Sequence, residues 1–222
     1  MELNLNLLPG IDALTTEQSD KIRNSSFKVK HRKGEEIFSQ GKPISYLMFL
    51  VSGLVKVYND DQKKLSVIVK IIGPGCYVGL YSVFSGSRYP VSAAALDESE
   101  MIYVNIAAIN EIILENGRFA MNLILQLSKD GIDLMNKMIY FPQKQIHGRM
   151  AEVLLTFASD IYKNVQFTLP ISRQELADLV YSTKESVSRT LTEFKNDRMI
   201  DISDREITLI SVDLLKTLSK IG

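Results

Sequence analysis

The sequence predicts an α+β chain in three successive parts: a β domain, a long helix, and a helical domain carrying a small β wing. Three observations predict it. From about Phe27 to Val104, short apolar runs alternate with glycine-bearing turns. After Ile106 the apolar spacing turns helical, and no proline interrupts the chain between Pro90 and Pro142. Beyond Pro142, two short helical patterns lie close together ahead of a final pair of strands. The boundaries are placed at 1–115, 116–141 and 142–222.

The β part is read from its punctuation. Lys33-Gly34-Glu35-Glu36, Gln40-Gly41-Lys42-Pro43, Ser52-Gly53 and Gly73-Pro74-Gly75 separate candidate strands at Tyr46 to Val51, Leu54 to Tyr58 and Leu65 to Ile72. The strands are rich in Val, Ile, Tyr and Phe, which suit a pleated, half-buried surface, and the spacing is that of a sandwich or barrel.

In the long helix, Ile124, Leu127, Gly131, Leu134, Met138 and Phe141 recur at intervals of three and four. That is the seam spacing of a helix that pairs with a parallel partner. Gly131 lowers helix propensity by roughly 1 kcal/mol but allows close backbone approach, which makes it an interface device. A second row, Leu125, Ile132, Met135 and Ile139, is expected to pack on the β domain. The alternative is a single helix buried in a monomer core. Pro142 cannot donate to the helix ladder and biases Phe141 away from helical geometry, so a break or hinge is expected there.

Past the break come a helix from about Gln143 to Tyr162 and a β run from Gln166 to Leu169. The informative stretch runs from Ile171 to Phe194. Ser172 with Glu175 three residues on is a capping box, and Leu176, Leu179 and Val180 form the buried face of the helix it starts. Thr183 or Ser182 caps a second helix whose buried face is Val187, Leu191 and Phe194. Two short helices joined by a tight turn are a helix-turn-helix. Glu185, Ser188 and Arg189 share the exposed face at the start of the second helix, the end that enters the DNA major groove in this motif. Arginine can donate two hydrogen bonds to guanine, a carboxylate can accept from cytosine, and serine can bond several bases. Two readings compete with base contact: Glu185 and Arg189 as a surface ion pair, and Glu185 closing a capping box with Ser182. Arg173, Thr183 and Lys184 complete the candidate DNA-binding set, with Arg173 and Lys184 as phosphate contacts.

Composition limits the remaining classes. The chain has 222 residues, enough for one or two compact units, and its 45% hydrophobic and 23% charged content excludes disorder. Lys and Arg total 26 against 26 Asp and Glu, so any DNA contact must come from local charge placement. The part from Pro142 to Gly222 is balanced too, with six Lys and five Arg against six Asp and five Glu. Cys76 is the single cysteine, so one chain cannot build an intrachain disulfide or a cysteine-ligated iron-sulfur cluster or zinc site. The start, Met1 to Pro9, lacks a basic region and is broken by Asn and Pro, so no signal peptide is expected. No membrane span is expected either, and the expected location is cytoplasmic. No nucleophile with a base partner, metal cluster or phosphate loop is legible, so no enzyme is expected. His31, placed in a surface turn beside Arg32 and Lys33, and His147, beside Gly148-Arg149, are read as solvated or capping residues, which argues against haem.

Over nearly its whole length the chain resembles the bacterial cyclic AMP receptor protein/fumarate-nitrate reductase regulator (CRP/FNR) family. The resemblance is carried by Lys33 to Gly41 (KGEEIFSQG), Val51 to Val57 (VSGLVKV), Gly148-Arg149 and the stretch from Ser172 to Leu191. It implies an N-terminal β-roll of the cyclic-nucleotide-binding jelly-roll type, a dimerisation helix and a C-terminal winged helix-turn-helix. It further implies a homodimer on double-stranded DNA, contact with RNA polymerase, and regulation of transcription. Glu185-Ser186-Val187-Ser188-Arg189 is similar to the E-x-x-S-R signature of the FNR branch, which implies half-sites of TTGA type.

The effector region departs from the pattern. Cyclic AMP receptors hold the ribose and phosphate with Gly-Glu-Leu and Arg-Ser and read the base with Thr-Ser. This chain has Gly79-Leu80-Tyr81, then Tyr89-Pro90 with Arg88 one residue early, and Leu134-Met135. The missing carboxylate and hydroxyls argue against cyclic AMP, at roughly 1 to 3 kcal/mol for each unmet group, though Arg88 could meet an anion after a loop shift. No resident cofactor is expected. Gly79, Leu80, Tyr81, Arg88, Tyr89, Leu134 and Met135 are the candidate lining for an unidentified effector. The alternatives are a ligand-binding module that docks a protein through its winged domain and a true cyclic-nucleotide-responsive regulator.

Overall fold

A computed structural model describes residues 7–59 and 67–221. The first six residues and the opening residues of the strand expected from Leu65 lie outside this range. Two compact units are present: one runs as far as Asp133 within the long helix, and the other takes Val67, Ile68 and the chain from Leu134 onward.

The first unit begins with helix α1 (Thr16–Asn24), started by a capping box between Thr15 and Gln18. Strands β1 (Ser26–His31), β2 (Glu36–Phe38), β3 (Tyr46–Ser52), β4 (Val55–Asn59), β5 (Val67–Ile72) and β6 (Tyr77–Val78) follow. After them come the short helix α2 (Leu80–Ser85), β7 (Ser92–Ala95), β8 (Ser99–Asn105), α3 (Ile106–Glu115) and α4 (Gly117–Tyr140). The strands form two four-stranded sheets, ordered β1-β8-β3-β6 and β2-β7-β4-β5. Neighbouring strands pair antiparallel, Leu47 opposite Val104 and Val55 opposite Ala95. This is the double-sheet arrangement expected from the turn spacing.

Period-two geometry lets β3 serve two cores at once. Its Met48 and Leu50 join Val55, Val57, Ala93 and Met101 in one cluster. Its Leu47 and Phe49 face Ile22, Ile109, Ile112, Phe119 and Leu123 from the helices in another. The turn after β3 requires glycine. Gly53 has φ of +89°, and a Cβ there would lie 2.3 Å from the Ser99 hydroxyl oxygen.

The helical stretch after Ile106 is two helices. Asn116 separates them and caps the second: its Oδ1 accepts from the Phe119 amide at 3.0 Å, while its amide group donates to the Ala13 carbonyl and to Gln18, each at 2.8 Å. The face of α4 that packs in the first unit carries Phe119, Leu123 and Leu127. The row expected to do so, Leu125, Ile132, Met135 and Ile139, is exposed.

His31 also corrects its expectation. It ends β1 opposite Ser99 and is 7% exposed, with Nε2 2.8 Å from the Tyr103 hydroxyl and Nδ1 3.2 Å from Glu35. Burial raises the Tyr103 hydroxyl above its ordinary pKa.

At Pro142, α4 gives way to a single 3-10 turn, Phe141–Gln143, which is the expected break. The second unit continues with α5 (Ile146–Thr156), which widens into a π-helical turn over Phe157–Ile161. Then come β9 (Gln166–Thr168), α6 (Arg173–Leu179), α7 (Lys184–Asn196), β10 (Ile200–Ser203), β11 (Glu206–Leu209) and α8 (Val212–Ile221). The strands form a sheet ordered β10-β11-β9. Helix α8, not anticipated from the sequence, buries Leu215.

Candidate DNA-binding site

Local chemistry sets both helices of the helix-turn-helix. Ser172 Oγ accepts from the Glu175 amide at 3.2 Å and Glu175 accepts from the Ser172 amide at 2.8 Å, so the capping box starts α6 as expected. Leu176, Leu179 and Val180 are buried. The turn closes with the Ser182 amide donating to the Ala177 carbonyl at 2.9 Å, while Tyr181 takes a left-handed φ of +49°. Thr183 then caps α7 by accepting from the Ser186 amide at 3.2 Å. Val187, Leu191 and Phe194 are buried, and so is Thr190, which the spacing argument had not marked.

The opposite face of α7 is open. Lys184, Glu185, Ser188 and Arg189 are exposed at its N-terminal end, with Thr183 just ahead of them. The alternative roles of Glu185 are absent: Thr183 provides the cap, and no ion pair joins Glu185 to Arg189 among the described residues. Ser188 Oγ donates to the Lys184 carbonyl at 2.9 Å and can rotate to another acceptor. Further along, His147 Nε2 on α5 lies 2.7 Å from the Glu193 carboxylate, and Lys195 donates to the Ile202 carbonyl at 2.7 Å. These contacts fix α7 against α5 and β10.

Arg173 is half-buried and turned toward the wing, the turn between β10 and β11. Its Nη2 donates to the Asp204 carbonyl at 3.3 Å, and its Nη1 is buried without a hydrogen-bond partner among the described residues. Burial is the main cause pulling its pKa below the ordinary value, with Arg205 acting in the same direction and Asp204 opposing. Arg205, a residue the sequence argument missed, donates to the Ile171 carbonyl at 3.1 Å and completes the link between the wing and the start of the helix-turn-helix.

Residues 148–218 match the model of the Crp-like helix-turn-helix domain and residues 28–116 that of the cyclic nucleotide-binding domain. The chain belongs to the CRP/FNR family. It is similar to the transcriptional activator protein anr of Pseudomonas aeruginosa, with 26% identity over 208 residues, 91% of this chain and 85% of that one. It also resembles the transcriptional regulatory protein btr of Bordetella pertussis, with 24% identity over 213 residues, 94% of this chain and 87% of that one. Among solved structures it superposes on FixK2 from Bradyrhizobium japonicum with a TM-score of 0.81 at 23% identity, covering 89% of this chain and 98% of that one. This CRP/FNR chain is therefore a transcription regulator with a DNA-binding helix-turn-helix, in a family of regulators and not of enzymes. Among the described residues no helix is long and apolar enough to cross a membrane.

The seam residues of this CRP/FNR regulator divide in three. Ile124, Leu134 and Met138 are half-exposed or more, and Gly131 is exposed with open space where a Cβ would stand. Leu127 is partly buried against the core of the first unit. Phe141 is the correction: it is 2% exposed and its ring meets Tyr181 edge-on at 5.6 Å, so it belongs to the core of the second unit and is not offered to a partner helix.

The effector candidates fall in both units, Gly79 to Tyr89 in the first and Leu134 and Met135 in the second. Gly79 is left-handed ahead of α2, and a Cβ there would lie 3.2 Å from the Phe38 ring. That ring stacks on Tyr89 at 4.0 Å, and burial pushes the Tyr89 hydroxyl up to about 12. Leu80 is corrected: at 1% exposure it lies in the helix-facing core with Leu47, Phe49 and Ile102 and is not open to solvent. Arg88 is exposed and donates to the Gly41 carbonyl at 2.6 Å. Tyr81 is partly exposed, its pKa raised by burial and then by the Asp130 charge. Leu134 and Met135 are exposed on α4.

Proposed function

We propose that the regulator acts as a homodimer on a palindromic operator with half-sites of TTGA type. The carrying observation is the first turn of α7. Glu185, Ser188 and Arg189 share an exposed face, and the carboxylate and guanidinium have no internal hydrogen-bond or ion-pair partner among the described residues. Side chains that are buried elsewhere in α7 hold that face outward, and the recognition helix of this motif reads bases with its N-terminal residues. Lys184 supplies a phosphate contact, and Arg173 acts beside it by way of the wing turn.

The exposed apolar residues of α4 support a parallel helix pair, which would set the two recognition helices one duplex turn, roughly 34 Å, apart. Contact with RNA polymerase follows from the family. Control by a small molecule in the roll is the remaining part of the proposal. The absence of a carboxylate at Leu80 and of hydroxyls at Leu134 and Met135 argues for a ligand other than cyclic AMP.

A gel shift with a TTGA palindrome and a scrambled duplex at two salt concentrations tests this reading. Sequence preference with a steep salt slope is expected. Arg189→Ala should lose roughly 1 to 3 kcal/mol on the palindrome and relax preference at one base pair. Equal loss on both duplexes would remove Arg189 as a base reader. A protein-docking module would show neither preference nor slope.

A further inference from the structure

The turn of the helix-turn-helix holds an unusual residue. Tyr181 has φ of +49°, a conformation that glycine or asparagine adopts readily and that is strained for a large aromatic. The ring is 56% exposed, so core burial does not explain it. What the ring does touch is Phe141, edge-on at 5.6 Å and 76°, the buried residue directly after α4. Lys137, one turn earlier on α4, places its ammonium 5.4 Å from the centre of the same Phe141 ring. Lys137, Phe141 and Tyr181 all lie in the compact unit from Leu134 onward. Tyr181 stands two residues ahead of Thr183, the cap of the recognition helix.

We propose that Tyr181 is a positioning residue for base recognition: its ring, held by a left-handed backbone against Phe141, fixes the start of α7 on the end of α4. The backbone strain sends the ring toward the helix end, and the edge-to-face contact keeps it there. The hydroxyl has no hydrogen-bond partner among the described residues, so the ring alone carries the role. The inference rests on the reading of α7 as the base-reading helix, and its test separates the two.

Three variants decide it: Tyr181→Gly, Tyr181→Phe and Phe141→Leu. Glycine relieves the strained φ, which offsets the lost ring contact and the freer unfolded chain, so Tyr181→Gly should melt close to the parent. Its affinity for the palindrome should nevertheless fall about two- to tenfold, the value of one aromatic pair, while binding to scrambled DNA stays unchanged. Tyr181→Phe should restore parental binding. Amide exchange at Ser186 and Val187, measured on free protein, should quicken in Tyr181→Gly and Phe141→Leu and not in Tyr181→Phe. Combining Tyr181→Gly with Phe141→Leu should cost no more than the larger single change. Unchanged exchange and unchanged palindrome affinity in Tyr181→Gly would overturn the proposal. So would equal losses on both duplexes, or a Tyr181→Phe variant as weak as Tyr181→Gly, which would make the hydroxyl a direct DNA contact. If the parent protein shows no sequence preference, the operator reading fails, and the exchange data still decide whether Tyr181 holds α7.

Discussion

Leu134→Asp is expected to split the proposed dimer without unfolding the chain. Half of the Leu134 surface is exposed in the single chain. Fully burying a leucine contributes about 1.5 to 3 kcal/mol, so covering the open half in a helix pair is worth about 1 kcal/mol per copy and about 2 per dimer. Aspartate forfeits that and brings two carboxylates into the seam, where each charge taken from water costs several kcal/mol and finds no cation in the seam row. The total exceeds about 5 kcal/mol, which raises the dimer dissociation constant by roughly three orders of magnitude or more. Sedimentation velocity at micromolar protein should show a dimer for the parent and a monomer for the variant. Far-ultraviolet dichroism should be unchanged, and palindrome binding should be lost. A variant that sedimented as a dimer would refute the seam, and a monomeric parent would refute the dimer itself.

Gly131→Ala separates helix propensity from interface fit. Among the described residues nothing lies within 4 Å of an added Cβ, so the helix should gain about 1 kcal/mol. The dimer should weaken if backbones approach at this glycine, and a tighter dimer by sedimentation would remove that role. Arg173→Ala should weaken palindrome and scrambled binding alike and flatten the salt dependence by about one unit of slope, because one guanidinium charge no longer neutralises a phosphate. An unchanged slope would leave Arg173 only a structural part. Glu35 has its carboxyl held below the ordinary 4.5, first by the Arg32 amide that donates to it and then by His31. A carboxylate whose folded pKa is depressed stabilises the fold above its unfolded value, and that contribution fades as the pH falls through the folded value. Glu35→Gln should therefore flatten urea stability against pH below about 4.5, and an acid limb identical to the parent's would dismiss the Glu35 tie.

Local chemistry was readable where it is self-contained. A serine and a glutamate three residues apart cap α6 whatever surrounds them, and Val187, Leu191 and Phe194 face inward because the helical period leaves no other choice. Long-range pairing was not. His31 looked solvated beside Arg32 and Lys33, yet its burial is decided by Tyr103, 72 residues away on β8. Periodicity on α4 located apolar rows without saying what covers each one. The row that packs runs Phe119, Leu123, Leu127, and it begins at the Asn116 cap, which the apolar spacing passes over. Phe141 fits the seam spacing but lies beyond the last turn of α4, where the chain has already left the helix axis. Leu80 shows the same limit in the roll. Motif position put it at the ligand, and the first turn of α2 points it into the core.

The Glu185 carboxylate, unpaired among the described residues, has a consequence of its own. Carried toward a polyanion, a fixed negative charge is repelled at every register except one that offers it a donor, such as the amino group of cytosine. A wrong duplex is then actively rejected as well as less attracted. With charges balanced across the whole chain, little background attraction masks that rejection. On the proposed reading of α7, discrimination would come as much from what the fingertip refuses as from what it grasps.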